Sequence, residues 1–290
     1  MVIQATPELL RWIDEQLGRG CAPAEMIDAM VTVGHTRAFA ESVIGKASGK
    51  IRFSADADAA VDAEADTAVN EVPEPLPAPL ASGASSIVVD GHRVTILVNL
   101  HHPRIVVFGN LLKADECDAL IAASRPKLER SETVNRANGG TELNAARTSD
   151  GTYFFHDASP LLEKINRRIA QVTRWPLAHG EPLQILHYGI GAEYQPHYDY
   201  FSPDDPGTAT LLAHGGQRVA TLITYLNTPE AGGATVFPDV GLEVAPIRGN
   251  AVFFAYESPT PSSRTLHGGT PVVAGEKWIA TRWMRENVYA

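Results

Sequence analysis

The chain is poor in cysteine: only Cys21 and Cys117 occur in 290 residues, far apart and outside any CxxC or zinc-type spacing. That excludes a disulfide-built scaffold and a cysteine metal centre, and it suits a reducing compartment. Long apolar runs are also missing, since none approaches the roughly 18 residues that a membrane-spanning helix needs. The start, Met1-Val-Ile-Gln-Ala-Thr-Pro-Glu, has no basic region followed by an apolar stretch. An unexported, cytoplasmic protein with no membrane partner is expected. Positive charge is scarce, with 24 Lys and Arg against 34 Asp and Glu and no basic stripe, which argues against nucleic-acid binding.

The formal net charge of −10 is unevenly placed. Residues 54–82 carry Asp56, Asp58, Asp62, Glu64, Asp66, Glu71 and Glu74 without a Lys or Arg, alongside the Ala- and Pro-rich run Val72-Pro-Glu-Pro-Leu-Pro-Ala-Pro-Leu80. Such a composition resists packing and repels itself, so an acidic Ala/Pro-rich linker is expected over 51–83. An acidic arm that docks a basic partner is the functional alternative. Residues 1–50 read as a small helical segment of three short helices. Thr6-Pro7 caps the first, which carries Leu10, Ile13 and Leu17; Met26, Ile27 and Met30 face inward on the second, and Phe39, Val43 and Ile44 on the third. A unit of about forty residues lies near the lower limit for folding alone, so a stabilising or homodimerising appendage is expected.

From about residue 84 the texture changes to short apolar runs bounded by turns. A hairpin is predicted around Asp90-Gly91, a strand from Arg104, and helices over 114–123 and 160–169. Strands are then predicted over 183–187, 194–198, 219–226, 233–237, 242–244, 250–254, 265–269 and 277–284. This pattern gives a mostly β domain over 84–290 with flanking helices, built as a double-stranded β-helix or jelly roll, which avoids most open edges by packing two sheets together.

His197 and Asp199 lie in the strand-like run Tyr194-Gln-Pro-His-Tyr-Asp-Tyr-Phe201. Strand side chains alternate, so a His-x-Asp step places an imidazole and a carboxylate on one face. A second imidazole from a distant strand would complete a two-histidine, one-carboxylate facial triad, leaving positions open on a ferrous ion for an organic cosubstrate and oxygen. His179-Gly-Glu181 is a second such pair, but it sits in a Gly/Pro-flanked turn where alternation does not apply. Taken alone, His197 and Asp199 read equally as a surface strand pair, His267 as a turn histidine beside Gly268-Gly269, and Lys277 as a solvated strand lysine.

Five blocks in order change that balance: Gln184-Ile-Leu-His-Tyr188, the run from Tyr194 to Phe201, His214-Gly-Gly-Gln-Arg218-Val-Ala-Thr-Leu-Ile-Thr-Tyr-Leu226, Gly232-Gly-Ala-Thr235-Val-Phe-Pro238, and the run from His267-Gly-Gly through Lys277 to Trp283. With them, residues from about 103 to 287 resemble the catalytic domain of prolyl 4-hydroxylases in the iron(II)/2-oxoglutarate dioxygenase superfamily. The resemblance implies that His197, Asp199 and His267 bind Fe(2+). It implies that Lys277, with Tyr188 and Thr235, holds the distal carboxylate of 2-oxoglutarate, and that Arg218, Tyr194 and Trp283 line a peptide groove. It further implies O2 as cosubstrate, ascorbate as reductant, and a proline-containing protein or peptide as substrate, hydroxylated at C4 with release of succinate and CO2. Related halogenases replace the carboxylate ligand with a small residue, so the retained Asp199 fits hydroxylation. The polar segments 133–152 and 202–214 are expected to act as lids over the peptide. The same chemistry on a free amino acid or another side chain is the alternative reading. A non-catalytic jelly-roll binding or sensing module would predict a broken triad or a missing lysine, and neither is missing.

Overall fold

The computed structural model describes Ile13, Pro23–Thr32, Arg37, Ala40, Val43, Ile44 and residues 85–289. The chain forms two units, Met1–Val69 and Asn70–Ala290. In the first, helix α1 (Pro23–Thr32) buries Met26 and Met30, one turn apart, in a cluster with Ile13, Ala40, Val43 and Ile44, and Ile27 packs against it. The expected inward positions Leu10, Leu17 and Phe39, and the acidic linker, lie outside the described residues. Among the described residues no helix is long and apolar enough to cross a membrane.

The second unit begins with the predicted hairpin, β1 (Ser86–Val89) and β2 (His92–Leu100). Asp90 and Gly91 both have positive φ, 49° and 68°, the two-residue turn whose twist matches that of its flanking strands. Next come β3 (Arg104–Gly109), helix α2 (Ala114–Ser124), the short strands β4 (Glu129–Arg130), β5 (Thr133–Val134) and β6 (Thr141–Glu142), strand β7 (Asp150–Phe154) and helix α3 (Pro160–Thr173). They are followed by β8 (Leu183–Tyr188), β9 (Tyr194–His197), helix α4 (Thr208–Leu212), β10 (Arg218–Tyr225), β11 (Ala231–Gly232), β12 (Thr235–Phe237) and β13 (Leu242–Val244). The chain closes with β14 (Ala251–Ala255), β15 (His267–Gly269), β16 (Val272–Ala274) and β17 (Lys277–Arg285).

Nine strands form a large sheet in the order β1-β2-β3-β14-β10-β17-β8-β7-β4, and four form a smaller one, β13-β12-β15-β9. The predicted mostly β jelly roll with flanking helices is the observed fold. Its apolar interior lies in two layers. Between the sheets, Leu186, Ile223, Tyr225 and Ile279 of the large sheet meet Phe237 and Val244 of the small one. On the outer face of the large sheet, Leu120 of α2 and Leu162, Ile165, Ile169 and Val172 of α3 pack against Ile185, Leu222, Phe253 and Trp278. Helix α3 starts where Ser159 accepts a hydrogen bond from the Leu162 amide and Pro160 occupies the first turn, and its apolar residues recur at helical spacing. Period-two alternation along β17 divides its side chains: Trp278, Ala280 and Met284 face the helices, whereas Lys277, Ile279, Thr281 and Trp283 face the space between the sheets.

Several boundaries differ from expectation. The strand predicted over 233–237 begins only at Thr235, as β12, because Gly232 and Gly233 before it both take positive φ, 76° and 72°. β7 and β16 carry weak apolar patterns of five and three residues and escape sequence reading.

One buried ion pair joins the helices. Arg168 donates to Glu116 through two nitrogens, at 2.6 and 2.9 Å, with side-chain exposures of 1% and 3%. Burial alone would raise the Glu116 carboxyl, but hydrogen bonds from Arg168, the Lys113 amide and Lys164 lower it from 4.5 to about 2. The folded value lies below the unfolded one, so this contribution is complete above pH 4.5 and is lost as pH falls toward 2. Arg168→Met is expected to destabilise the fold by about 3 kcal/mol, because it leaves the buried carboxylate with only the half-exposed Lys164 and the Lys113 amide. Urea denaturation at neutral pH measures this, and an unchanged midpoint would mean that the pair contributes nothing.

Candidate active site

Strands β9 and β15 pair antiparallel with His197 opposite His267. The second imidazole therefore arrives from a distant strand. The close approach depends on Gly268, where a side chain would meet the Tyr194 carbonyl oxygen at 2.9 Å and the Pro196 nitrogen at 3.1 Å. The small residue thus makes room for the β9 backbone. Each imidazole is oriented through its far nitrogen: His197 Nδ1 lies 2.9 Å from the Gln195 carbonyl and His267 Nδ1 3.0 Å from that of Thr265. Both Nε2 atoms are left to point inward. Phe254, with its ring 4.4 Å from that of His267, packs beside the second imidazole.

Asp199 completes the group, though not as a strand residue. β9 ends at His197, one residue short of the predicted boundary, because the following backbone bonds to a side chain. Gln217 accepts from the Phe201 amide and donates to its carbonyl, both at 2.8 Å. The carboxylate still turns back to the imidazoles, with Oδ1 3.5 Å from His197 Nε2 and Oδ2 3.4 Å from His267 Nε2. The three donor atoms lie within 4.8 Å of one another. Burial opposes ionisation of Asp199, but the neighbouring His267 and His197 hold its carboxyl well below the usual range. Burial, followed by the neighbouring His267, lowers His197 and keeps it neutral, the form that binds metal. Two neutral-capable imidazoles and one carboxylate on a common centre suit a ferrous ion.

Behind this cluster lies a narrow cavity lined by Tyr188, Thr235, Gly269, Lys277 and Thr281. Lys277 is 2% exposed, and burial lowers its ammonium from 10.5 to about 8. Its only close partner among the described residues is the Tyr188 ring, 5.2 Å from Nζ, and no carboxylate offsets the charge. Lys277 and Tyr188 are register partners on β17 and β8. Thr235 reaches the same cavity from β12, its hydroxyl accepting from the Tyr225 phenol at 2.8 Å. Burial raises the Tyr188 phenol, so it remains a donor. A dicarboxylate whose far end met Lys277 would supply the missing counter-charge.

In front of the cluster is a groove of about 1110 Å³, which shares Arg147, Tyr194, His197, Asp199 and Trp283 with the inner cavity. Tyr194 stacks on His197 with ring centroids 3.6 Å apart. Arg218 lies over Trp283 at 4.1 Å and over Phe201 at 4.9 Å. Its donors are engaged, since it binds Glu181 at 2.7 and 2.9 Å. The segments expected as lids meet at the rim, where the Gly207 amide donates to the Arg136 carbonyl at 2.9 Å and Arg136 lies 3.8 Å from Asp205.

Sequence reading missed two residues here. Arg147, 4% exposed, lies over the outer face of the Tyr194 ring at 5.0 Å and donates to Gln184 and to the Glu132 carbonyl. No local pattern marks it. Glu181 belongs to the His-x-Glu pair set aside as a turn, and it pairs with both Arg218 and Arg285 on the groove wall.

The site and fold define a two-histidine, one-carboxylate oxygenase class. The profile of the 2OG-Fe(II) oxygenase superfamily matches residues 183–285. The chain is 38% identical over 208 residues to probable prolyl 4-hydroxylase 10 of Arabidopsis thaliana, covering 64% of this chain and 70% of that one. It is also 38% identical over 202 residues to prolyl 4-hydroxylase 5 of the same plant, covering 62% and 68%. The crystal structure of a viral collagen prolyl hydroxylase from Paramecium Bursaria Chlorella virus-1 aligns at 30% identity over 62% of this chain and 95% of that one, with a TM-score of 0.48. The chain belongs to the prolyl 4-hydroxylase family of 2-oxoglutarate-dependent iron(II) dioxygenases.

Proposed function

We propose that this protein hydroxylates a prolyl residue at C4 in a protein or peptide, using iron(II), 2-oxoglutarate and oxygen. The observation that carries this reading is Lys277, a buried cation without a carboxylate partner among the described residues, in a cavity that opens beside His197, Asp199 and His267. When bound, the iron and 2-oxoglutarate supply the oxidising chemistry that turns a substrate C–H into C–OH, with release of succinate and CO2.

The protein's part is binding and placement. His197, Asp199 and His267 would hold the metal, with His197 kept neutral and Asp199 ionised, the forms that bind it. Lys277 would take the distal carboxylate of 2-oxoglutarate, with the Tyr188 and Thr235 hydroxyls as donors. Tyr194, Trp283 and Arg218 would form the groove wall beside the prolyl ring, which offers an apolar face and few polar contacts. A groove of about 1110 Å³ exceeds the roughly 300–1,000 Å³ that drug-sized ligands fill, which favours an extended peptide over a free amino acid. Ascorbate as reductant and a cytoplasmic location complete the proposal, the latter supported by the sparse cysteines.

Mass spectrometry of a proline-rich peptide library, incubated with the protein, iron(II), ascorbate and 2-oxoglutarate, tests the reading. A one-oxygen gain on proline that requires 2-oxoglutarate is expected. Succinate release with free proline or another side chain as the oxidised product would redirect the substrate assignment, and no succinate under any condition would overturn the catalytic reading.

A further inference from the structure

Two hydroxyls that the proposed chemistry does not use form a chain that ends on Asp199. Thr221 Oγ1 donates to Asp199 Oδ2 at 2.7 Å, and the Tyr256 hydroxyl makes a close hydrogen bond with Thr221 Oγ1. All three side chains are buried, at 7%, 0% and 4% exposure for Asp199, Thr221 and Tyr256. A proton inventory fixes the direction of this chain. An ionised carboxylate only accepts, and a threonine hydroxyl carries one proton. Thr221 donates that proton to Asp199, so the Tyr256 O–H must be the donor to Thr221.

The fold holds the two hydroxyls firmly in place. Thr221 lies on β10 and Tyr256 immediately follows β14, its hydrogen-bonded neighbour, and the Tyr256 amide donates to the Val219 carbonyl at 2.9 Å. Edge contacts from Tyr200 and Phe254, at centroid distances of 6.1 and 5.9 Å, fix the Tyr256 ring.

We propose that Tyr256 and Thr221 form a two-hydroxyl relay that positions Asp199, holding back Oδ2 so that the carboxylate presents Oδ1 to the metal. The inference rests on the reading of this site as a metal centre. Both are positioning residues: neither would touch the metal or the substrate. A carboxylate free to turn about its last torsion could offer both oxygens to the ion and fill a position that the cosubstrate needs. Neutral hydroxyls prevent this without adding charge beside the metal.

Cobalt(II) titration of the metal-free full-length protein, followed by its d–d absorption, tests the relay. Thr221→Val keeps the side-chain shape and removes the donor, so cobalt affinity should fall about 10- to 100-fold, the range for loss of a hydrogen-bonded partner behind a ligand. The d–d band should shift with it. Thr221→Ser should restore affinity to near the wild-type value, and Tyr256→Phe, which leaves the Thr221 hydroxyl unsupported, should fall between. Thermal denaturation in EDTA identifies any variant that fails to fold, in which case the order of Thr221→Ser and Tyr256→Phe decides the matter. Wild-type cobalt affinity in either a folded Thr221→Val or a folded Tyr256→Phe protein would overturn the relay. Indistinguishable binding by wild type and Asp199→Ala would instead remove the metal-centre reading on which it rests.

Discussion

Replacing Asp199 with alanine is expected to reduce 2-oxoglutarate-dependent turnover to background and to abolish specific metal binding. The carboxylate is the only anion among the three clustered donors, with oxygens 3.4 and 3.5 Å from the two imidazole nitrogens. Without it, a divalent cation would face two imidazole rings in an apolar pocket, with Phe237 and Phe254 packed against His267. An uncompensated buried charge costs several kcal/mol, which two imidazoles alone do not offset. The fold should survive, because the partners left behind are one hydroxyl and two imidazoles. Succinate production and metal content of the folded variant measure the effect. Turnover like that of wild type would take Asp199 out of the site.

This residue also marks how far the sequence reaches. His197 and Asp199 were legible as a pair because alternation predicts a common face, and the two do share one. The mechanism differs, since the strand stops at His197 and the turn that follows is held by the Gln217 side chain, from the far side of α4 in the chain. Local pattern cannot report a side chain bonding to backbone sixteen residues away. Lys277 was legible through the family resemblance of its block, since taken alone it reads as a solvated strand lysine; a strand buried along its whole length is what turns it inward. Thr221 sits in a uniformly apolar-looking central strand, where a threonine resembles any β-branched core residue until its partner from another loop is known. Arg147 is invisible for a related reason: its ring partner Tyr194 and its acceptor Gln184 come from later strands, and nothing in the polar loop around it repeats or alternates.

Lys277→Met should have two large effects of opposite sign. Methionine matches the length and volume of lysine, so the packing between Tyr188 and Thr235 is retained while the cation is lost. With cosubstrate, the variant leaves a buried carboxylate without its partner, a loss of about 3–5 kcal/mol that raises the 2-oxoglutarate requirement roughly 10²- to 4 × 10³-fold. Without cosubstrate, the ammonium is a burden on the fold, because burial lowers it from 10.5 to about 8 with no opposing charge. Removing it should stabilise the ligand-free protein at neutral pH by about 3 kcal/mol at most, each pKa unit corresponding to about 1.4 kcal/mol. Since the folded value lies below the unfolded one, the unfolded chain binds more protons between pH 8 and 10.5. Wild-type stability should therefore rise with pH through that window, while the variant lacks this rise. Saturating 2-oxoglutarate with a redox-inert divalent metal should reverse the ranking at neutral pH, because a ligand that binds only the folded state stabilises wild type by mass action. Thermal denaturation with and without cosubstrate reads both effects in one experiment. An unchanged 2-oxoglutarate requirement would remove Lys277 from the cosubstrate site, and a ligand-free variant less stable than wild type would show that the lysine contributes packing or contacts that outweigh its buried charge.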